Sequence, residues 1–268
     1  MSRTFLVTGA TRGIGRAIAV AAAATGANVT LLGKTQKPNP LLPGTLGESA
    51  EAVEAAGGRA LPLEVDVRDE KRVREAIDAT VQAFGGLDVV VNNAGAIRLA
   101  GTEDTPVRLF DRMMAVNVRA TWVTSREAIP HLKRSSNAHV LNLAPPISLD
   151  PKWLAPHVAY TISKYGMSLC TLGLAAELAE DGIAVNGLWP RTIIATAALA
   201  MLPGIDPTDC RSVDIVADAA MEIVSRPARE CTGQLRLDED VLREAGVRDF
   251  TRYSIDPSRS PRLDLYVE

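Results

Sequence analysis

Tyr160 and Lys164 stand four residues apart in Tyr160-Thr161-Ile162-Ser163-Lys164, a spacing that puts a phenol and an ammonium on one helix face. A free phenol ionises at about pH 10 and is a reluctant base at neutrality. A neighbouring positive charge lowers that value, so the pair can pass a proton to or from a substrate oxygen. Tyr165 lies next in sequence but points about 100° away round the helix. Near the start of the chain, Thr8-Gly9-Ala10-Thr11-Arg12-Gly13-Ile14-Gly15 carries glycines at 9, 13 and 15. These let the backbone turn sharply and approach a pyrophosphate. The helix that follows aims free N–H groups and a positive dipole end at such an anion.

The elements that must position these groups alternate along the chain. Apolar runs at 4–8, 28–32, 60–64, 88–91, 139–143, 183–188 and 234–237 read as strands. Between them, Ala-rich segments read as helices: 14–25, 48–56, 70–84, a long stretch at 109–132 broken near Pro130, 160–179 and 213–224. Asp88-Val89-Val90-Val91 shows no polar alternation, as a strand covered on both faces requires. Repeated β-α alternation implies a parallel sheet, because parallel strands need crossover connections. Ligands then bind at the carboxyl ends of the strands, where the winding reverses. The segment 34–47 and the tail from Tyr253 read as irregular.

The glycine spacing resembles the T-G-x-x-x-G-x-G of short-chain dehydrogenases, and the resemblance extends over nearly the whole chain. Asn92-Asn93-Ala94-Gly95 matches that family's N-N-A-G, Asp66-Val67 its adenine contact, and Thr232-Gly233-Gln234 its approach to the last strand. Asn117 stands where the family has an active-site Asn. The resemblance implies one domain over 1–268: a Rossmann-type, doubly wound α/β fold whose parallel seven-stranded sheet carries helices on both faces. A substrate lid is expected at about 192–212 and an irregular tail at about 253–268. It implies hydride transfer at a nicotinamide, with Tyr160 as proton donor or acceptor. Lys164 holds the nicotinamide ribose, and Asn117 helps bind a water in a proton relay. The implied cofactor contacts are Gly9, Thr11, Arg12, Gly13, Ile14, Gly15, Lys34, Asp66, Val67, Asn92, Ala94, Gly95, Tyr160, Lys164 and Ile193.

Charge at the end of the second strand selects the cofactor. An NAD enzyme places an acid there for the ribose 2′-OH. Leu31-Leu32-Gly33-Lys34 has none, and Lys34 with Arg12 supplies two cations for a 2′-phosphate, so NADP(H) is expected over NAD(H).

One member of the family set is absent. Pro145 occupies the place after the fifth strand where the family has a Ser, and proline has neither a side-chain donor nor an N–H. Ser148 is the nearest hydroxyl and a candidate substitute. Pro145-Pro146, the long loop 34–45 and Leu188-Trp189-Pro190-Arg191-Thr192 resemble the hydroxysteroid dehydrogenase-like and citronellol dehydrogenase-like branch of the family. Animal members of that branch add a sterol-carrier-like domain. Trp153, Leu154, Trp189, Met201 and Leu202 fall in the family's substrate-pocket segments and favour an apolar alcohol or carbonyl, with His157 the one histidine placed to touch substrate.

Bulk properties narrow the alternatives. With 268 residues, 47% hydrophobic and 23% charged, the composition is that of an ordinary globular chain. A net charge of −3 offers no basic surface for nucleic acid, and no apolar run is long enough to span a bilayer. The strand-like run from Thr4 leaves no room for a leader, so a cytoplasmic location is expected. Cys170, Cys210 and Cys231 are widely spaced and read as reduced thiols, and the three histidines lack metal-ligand spacing. The family forms dimers or tetramers through its long helices, here 109–132 and 160–179. An enoyl reductase acting on C=C is one alternative to carbonyl chemistry. The missing Ser motivates another, a non-catalytic NADP(H)-binding sensor or partner protein.

Overall fold

The computed structural model describes residues 2–38, 43–201 and 204–268, without the side chains of 200 and 201. Seven parallel strands form one sheet in the order β3-β2-β1-β4-β5-β6-β7. They are β1 Thr4–Thr8, β2 Asn28–Gly33, β3 Arg59–Glu64, β4 Val89–Asn92, β5 Ala138–Asn142, β6 Ile183–Trp189 and β7 Leu235–Leu237. The helices are α1 Gly13–Ala23, α2 Leu46–Ala55, α3 Glu70–Phe84, α4 Val107–Met113, α5 Ala120–Leu132, α6 Pro151–Leu154, α7 Val158–Glu177, α8 Asp214–Ser225 and α9 Asp238–Glu244.

Strand alternation explains how one apolar run serves two cores. Phe5, Val7, Val89 and Val91 face a cluster with residues of α1, α2, α8 and α9. Leu6 and Val90 point the other way, into a cluster with α3, α5 and α7. A polar residue at any of these positions would be stranded in one core or the other, which is why β4 reads as unbroken valine. Strand order reverses between β1 and β4, and the crevice at their carboxyl ends lies there.

Helices α6 and α9 add to the expected elements, and two further departures bear on the site. The stretch 107–132 is continuous, but Met114–Arg119 between α4 and α5 is a π-helical turn, and Asn117 sits inside it. Pro130 does not break α5, which runs two residues further to buried Leu132. So near the helix end, the hydrogen bond that proline forfeits is one of few left to lose. The second departure is the tail. It pairs with the segment after β6, through an antiparallel bridge of Thr192 with Leu263 and through Asp264 N–H donating to Arg191 O at 3.0 Å.

Candidate active site

The crevice opens into a cavity of about 640 Å³ whose wall includes Gly9, Arg12, Gly13, Ile14, Asn117, Tyr160, Lys164, Trp189 and Asp264. Its floor is the glycine loop between β1 and α1. Gly9 lies at φ +66°, and a side chain there would bring a Cβ within 2.9 Å of Ala94 Cα. A Cβ on Gly15 would collide with the Asn93 amide, so glycine is required for this loop to reach the end of β4. Thr8 Oγ1 accepts from the Asn93 and Ala94 N–H groups, both at 3.0 Å, and Asn93 Nδ2 donates to Thr8 O at 2.9 Å. Strands β1 and β4 are thereby tied where winding reverses. Helix α1 has no side-chain cap at Arg12, so its first N–H groups are free to meet an anion. Cradle, open helix end and cavity together fit a dinucleotide pyrophosphate.

Tyr160 and Lys164 reach the cavity from the first two turns of α7. Lys164 Nζ donates to Leu143 O at the end of β5 and lies 4.9 Å above the Trp189 ring. Burial lowers its pKa to about 7, opposed by the negative charge of Asp264. The Tyr160 hydroxyl makes no hydrogen bond among the described residues. Burial, aided by Tyr266 and Asp264, pushes its pKa well above the ordinary value. Sequence spacing suggested that Lys164 would lower it; desolvation prevails instead.

Asn117 lines the same cavity but is fully engaged. Its Nδ2 donates to Ala96 O and Ser163 Oγ, each at 2.9 Å, and its Oδ1 accepts from Ala96 N–H at 2.7 Å. Both amide donors are spent, so the side chain clasps the loop after β4. The π-helical turn turns Asn117 into that position.

Several expected contacts lie elsewhere. Ser148 does not line the cavity: its N–H donates to Tyr165 Oη at 3.2 Å, its carbonyl accepts from that hydroxyl, and its Oγ accepts from Asp150 N–H. Pro145 points its carbonyl at Ser168 Oγ, 2.7 Å away. Ser148 is therefore not among the residues that line the cavity. Lys34 is not a bare cation, because it pairs with Asp66 at 3.0 Å, and Arg68 pairs with the same carboxylate at 2.6 Å. The acid missing from β2 arrives from the neighbouring strand's end. Asn92 donates to Ser125 Oγ and Asn142 Oδ1 and is buried in the sheet layer. Thr11 is buried under the loop, and Val67 and Ala94 flank a shallow dent behind the cavity. Gly95 and Ile193 are on the main wall.

Of the expected substrate-pocket residues, Trp189 is on the cavity wall, whereas Trp153 and His157 pack behind it against Tyr266. Leu154 closes the short helix α6, and the Met201 side chain and Leu202 fall outside the described residues. From the expected lid segment, Ile193, Ile194 and Thr196 to Leu199 line the cavity, partly in a 3₁₀ turn at Ala197–Met201.

The tail supplies what the sequence did not suggest. Asp264 and Leu265 line the cavity. Asp264 Oδ1 accepts from Leu265 N–H at 2.7 Å, and burial raises its pKa to about 7 against the opposing pull of Lys164. Trp189 Nε1 donates to Leu265 O at 2.9 Å. Tyr266 anchors the turn among Tyr165, Trp189, Trp153 and His157, with ring centroids 5.3, 5.9, 6.0 and 6.3 Å away. It is the one non-glycine residue at positive φ (67°) among those described, a strain that the aromatic packing holds in place.

Known proteins share this fold. The short chain dehydrogenase profile matches residues 3–202. The chain is 50% identical over 266 residues to hydroxysteroid dehydrogenase-like protein 2 of Danio rerio, covering 99% of this chain but 64% of that protein. A crystal structure of a dehydrogenase candidate from Xanthomonas campestris superposes with a TM-score of 0.97 at 51% identity, covering 99% of this chain and 98% of the other. A short chain dehydrogenase of Mycobacterium paratuberculosis, solved bound to NAD, reaches a TM-score of 0.73 at 27% identity over 90% of this chain and 98% of the other. With the family profile matching residues 3–202, the chain belongs to the short chain dehydrogenase family.

Proposed function

We propose that this chain interconverts an apolar alcohol and its carbonyl, using NADP(H), with Tyr160 as proton donor and acceptor. The observation that carries the reading is the pairing of an unbonded Tyr160 hydroxyl with Lys164 on the wall of the crevice between β1 and β4. Gly9, Gly13, Ile14 and the open end of α1 would hold the pyrophosphate, Ala94, Gly95 and Ile193 the cofactor's length, and Asp66 and Val67 the adenine side. The nicotinamide supplies or accepts hydride when bound. Tyr160, kept protonated by burial, donates its proton to the substrate oxygen in reduction and recovers one in oxidation. Lys164 sets the charge beside it. Trp189, Leu265 and the lid exclude water from the reacting carbon.

For the cofactor, Arg12 donates to Thr35 Oγ1 at 2.9 Å and to Gly44 O at 3.2 Å, which ties its guanidinium to the residue that follows Lys34. Lys34 and Arg68 both pair with Asp66, so two cations meet one carboxylate there, which supports NADP(H). Replacing Arg12 and Lys34 with Ala is expected to raise the NADPH Michaelis constant far more than the NADH one. An equal effect on both contradicts the preference.

Pro145 favours a second reading, a cofactor-binding protein without turnover, because a lost oxyanion donor removes several kcal/mol, roughly, of transition-state stabilisation. A panel of saturated and unsaturated aldehydes and ketones with NADPH decides. Consumption on saturated apolar carbonyls supports the reductase. Consumption confined to C=C substrates favours an enoyl reductase, and tight NADPH binding with no turnover favours the second reading.

A further inference from the structure

Four cations line the cavity, Arg12, Arg98, Arg112 and Lys164, against one carboxylate, Asp264. Two have partners: Arg12 bonds Thr35 and Gly44, and Lys164 bonds Leu143 O. Arg98 and Arg112 form no ion pair or hydrogen bond with any described residue, and the Nε of Arg98 is buried without an acceptor. Several other arginines find carboxylates, as Arg74 does with Glu127 at 2.7 Å and Arg191 with Asp240 at 2.7 Å. Arg98 is half-buried, so its guanidinium loses hydration that an acceptor returns, whereas Arg112 is an exposed residue that lines the same cavity.

Both residues stand on held backbone. Arg98 follows Ala96, whose N–H and carbonyl are both clasped by Asn117. Arg112 lies on α4 with Leu109 and Met113, three positions at i, i+3 and i+4 that share the cavity face. Around them the wall is apolar: Ile97, Leu109, Met113, Leu199 and Leu265. A planar, five-donor fork suits a carboxylate or phosphate oxygen pair. We propose that Arg98 and Arg112 form an anion subsite for the substrate, selecting an apolar carbonyl or alcohol compound that carries a carboxylate or phosphate group. The proposal rests on the carbonyl–alcohol reading above for what is done to that compound, but not for its binding.

The test compares a medium-chain ketone bearing a terminal carboxylate, the same ketone bearing a terminal phosphate, and the neutral methyl ester of the first. kcat/KM is measured for the full chain with NADPH and for Arg98→Gln and Arg112→Gln. An anionic ketone is expected to be preferred over the ester by about 10- to 100-fold, and each substitution to remove about tenfold or more of that preference. Ester turnover and NADPH affinity are expected to stay within about twofold. Whichever anion is favoured assigns the group as carboxylate or phosphate. Calorimetric titration of the Tyr160→Phe protein loaded with NADPH reads the same preference without turnover. Tighter binding of an anion there, with no carbonyl reduced by the unsubstituted protein, supports the subsite and removes the reductase reading. Equal affinity for anion and ester overturns the subsite and leaves the reductase reading standing. A loss of NADPH affinity in Arg98→Gln also overturns it, by assigning the guanidinium to the cofactor's phosphates.

Discussion

Burial acts on Tyr160 and Lys164 in opposite chemical senses. It holds the phenol in its neutral, proton-donating form and drives the ammonium toward neutrality, to about 7. Asp264 is the group that resists the second effect, since its negative charge raises the Lys164 value. Asp264→Asn removes that charge, so the pKa of Lys164 is expected to fall. The alkaline limb of kcat/KM for reduction then moves to lower pH by about half to one unit, and an unmoved limb contradicts the coupling. The glycines, the Asn92–Gly95 run and the Tyr160/Lys164 pair were legible because each is a local pattern tied to one strand end or one helix face. Asp264 was not, because it acts on Lys164 from 100 positions further along, in a tail without periodicity. The same limit hid Asp66 from the charge argument at Lys34: the carboxylate belongs to the next strand, and sequence distance conceals it.

At the scale of elements, strands and most helices followed from apolar period and turn residues. The exceptions share a cause. A π-helical turn leaves the apolar period almost unchanged, so nothing at Met114–Arg119 announced it. The tail is held by single bonds and one aromatic cluster, neither of which repeats. Its anchor gives a sharp expectation. Tyr266→Ala loses the ring among four aromatic neighbours and is expected to cost about 3 kcal/mol in denaturant unfolding. Tyr266→Gly is expected to be the more stable of the two truncations by about 1 kcal/mol, because φ is positive there. The usual order, with Ala above Gly, contradicts a strained turn. In β5, His139 is buried, with Nε2 3.1 Å from Arg226 O, and burial lowers its pKa from 6.5 to about 4. The unfolded chain therefore binds a proton that the folded one refuses. Stability present above pH 6.5 is lost as pH falls toward 4, by about 3 kcal/mol. His139→Gln is expected to flatten that slope; an identical slope in both proteins excludes His139 as its source.

For the whole molecule, one reversal of strand order gathers residues from both ends of the chain into one crevice, from Gly9 to Leu265. Outside the crevice, α5 and α7 expose apolar side chains, Trp122 at 46%, Leu169 at 61% and Leu172 at 38%. That pattern supports the dimer or tetramer implied by family resemblance. Light scattering is expected to report a multiple of the 28.5 kDa chain, and Leu169→Glu to shift it toward monomer. A monomer at micromolar concentration contradicts the interface. No helix among the described residues is long and apolar enough to cross a membrane. The most direct measurement is the single-turnover rate of NADPH oxidation on a saturated apolar ketone, in the unsubstituted chain and in Tyr160→Phe, with NADPH affinity measured in both. If Tyr160 delivers the proton, the rate falls by about 10²- to 10⁴-fold while NADPH binds as before. A rate that survives the loss of the hydroxyl would contradict the assignment of Tyr160 as the proton donor.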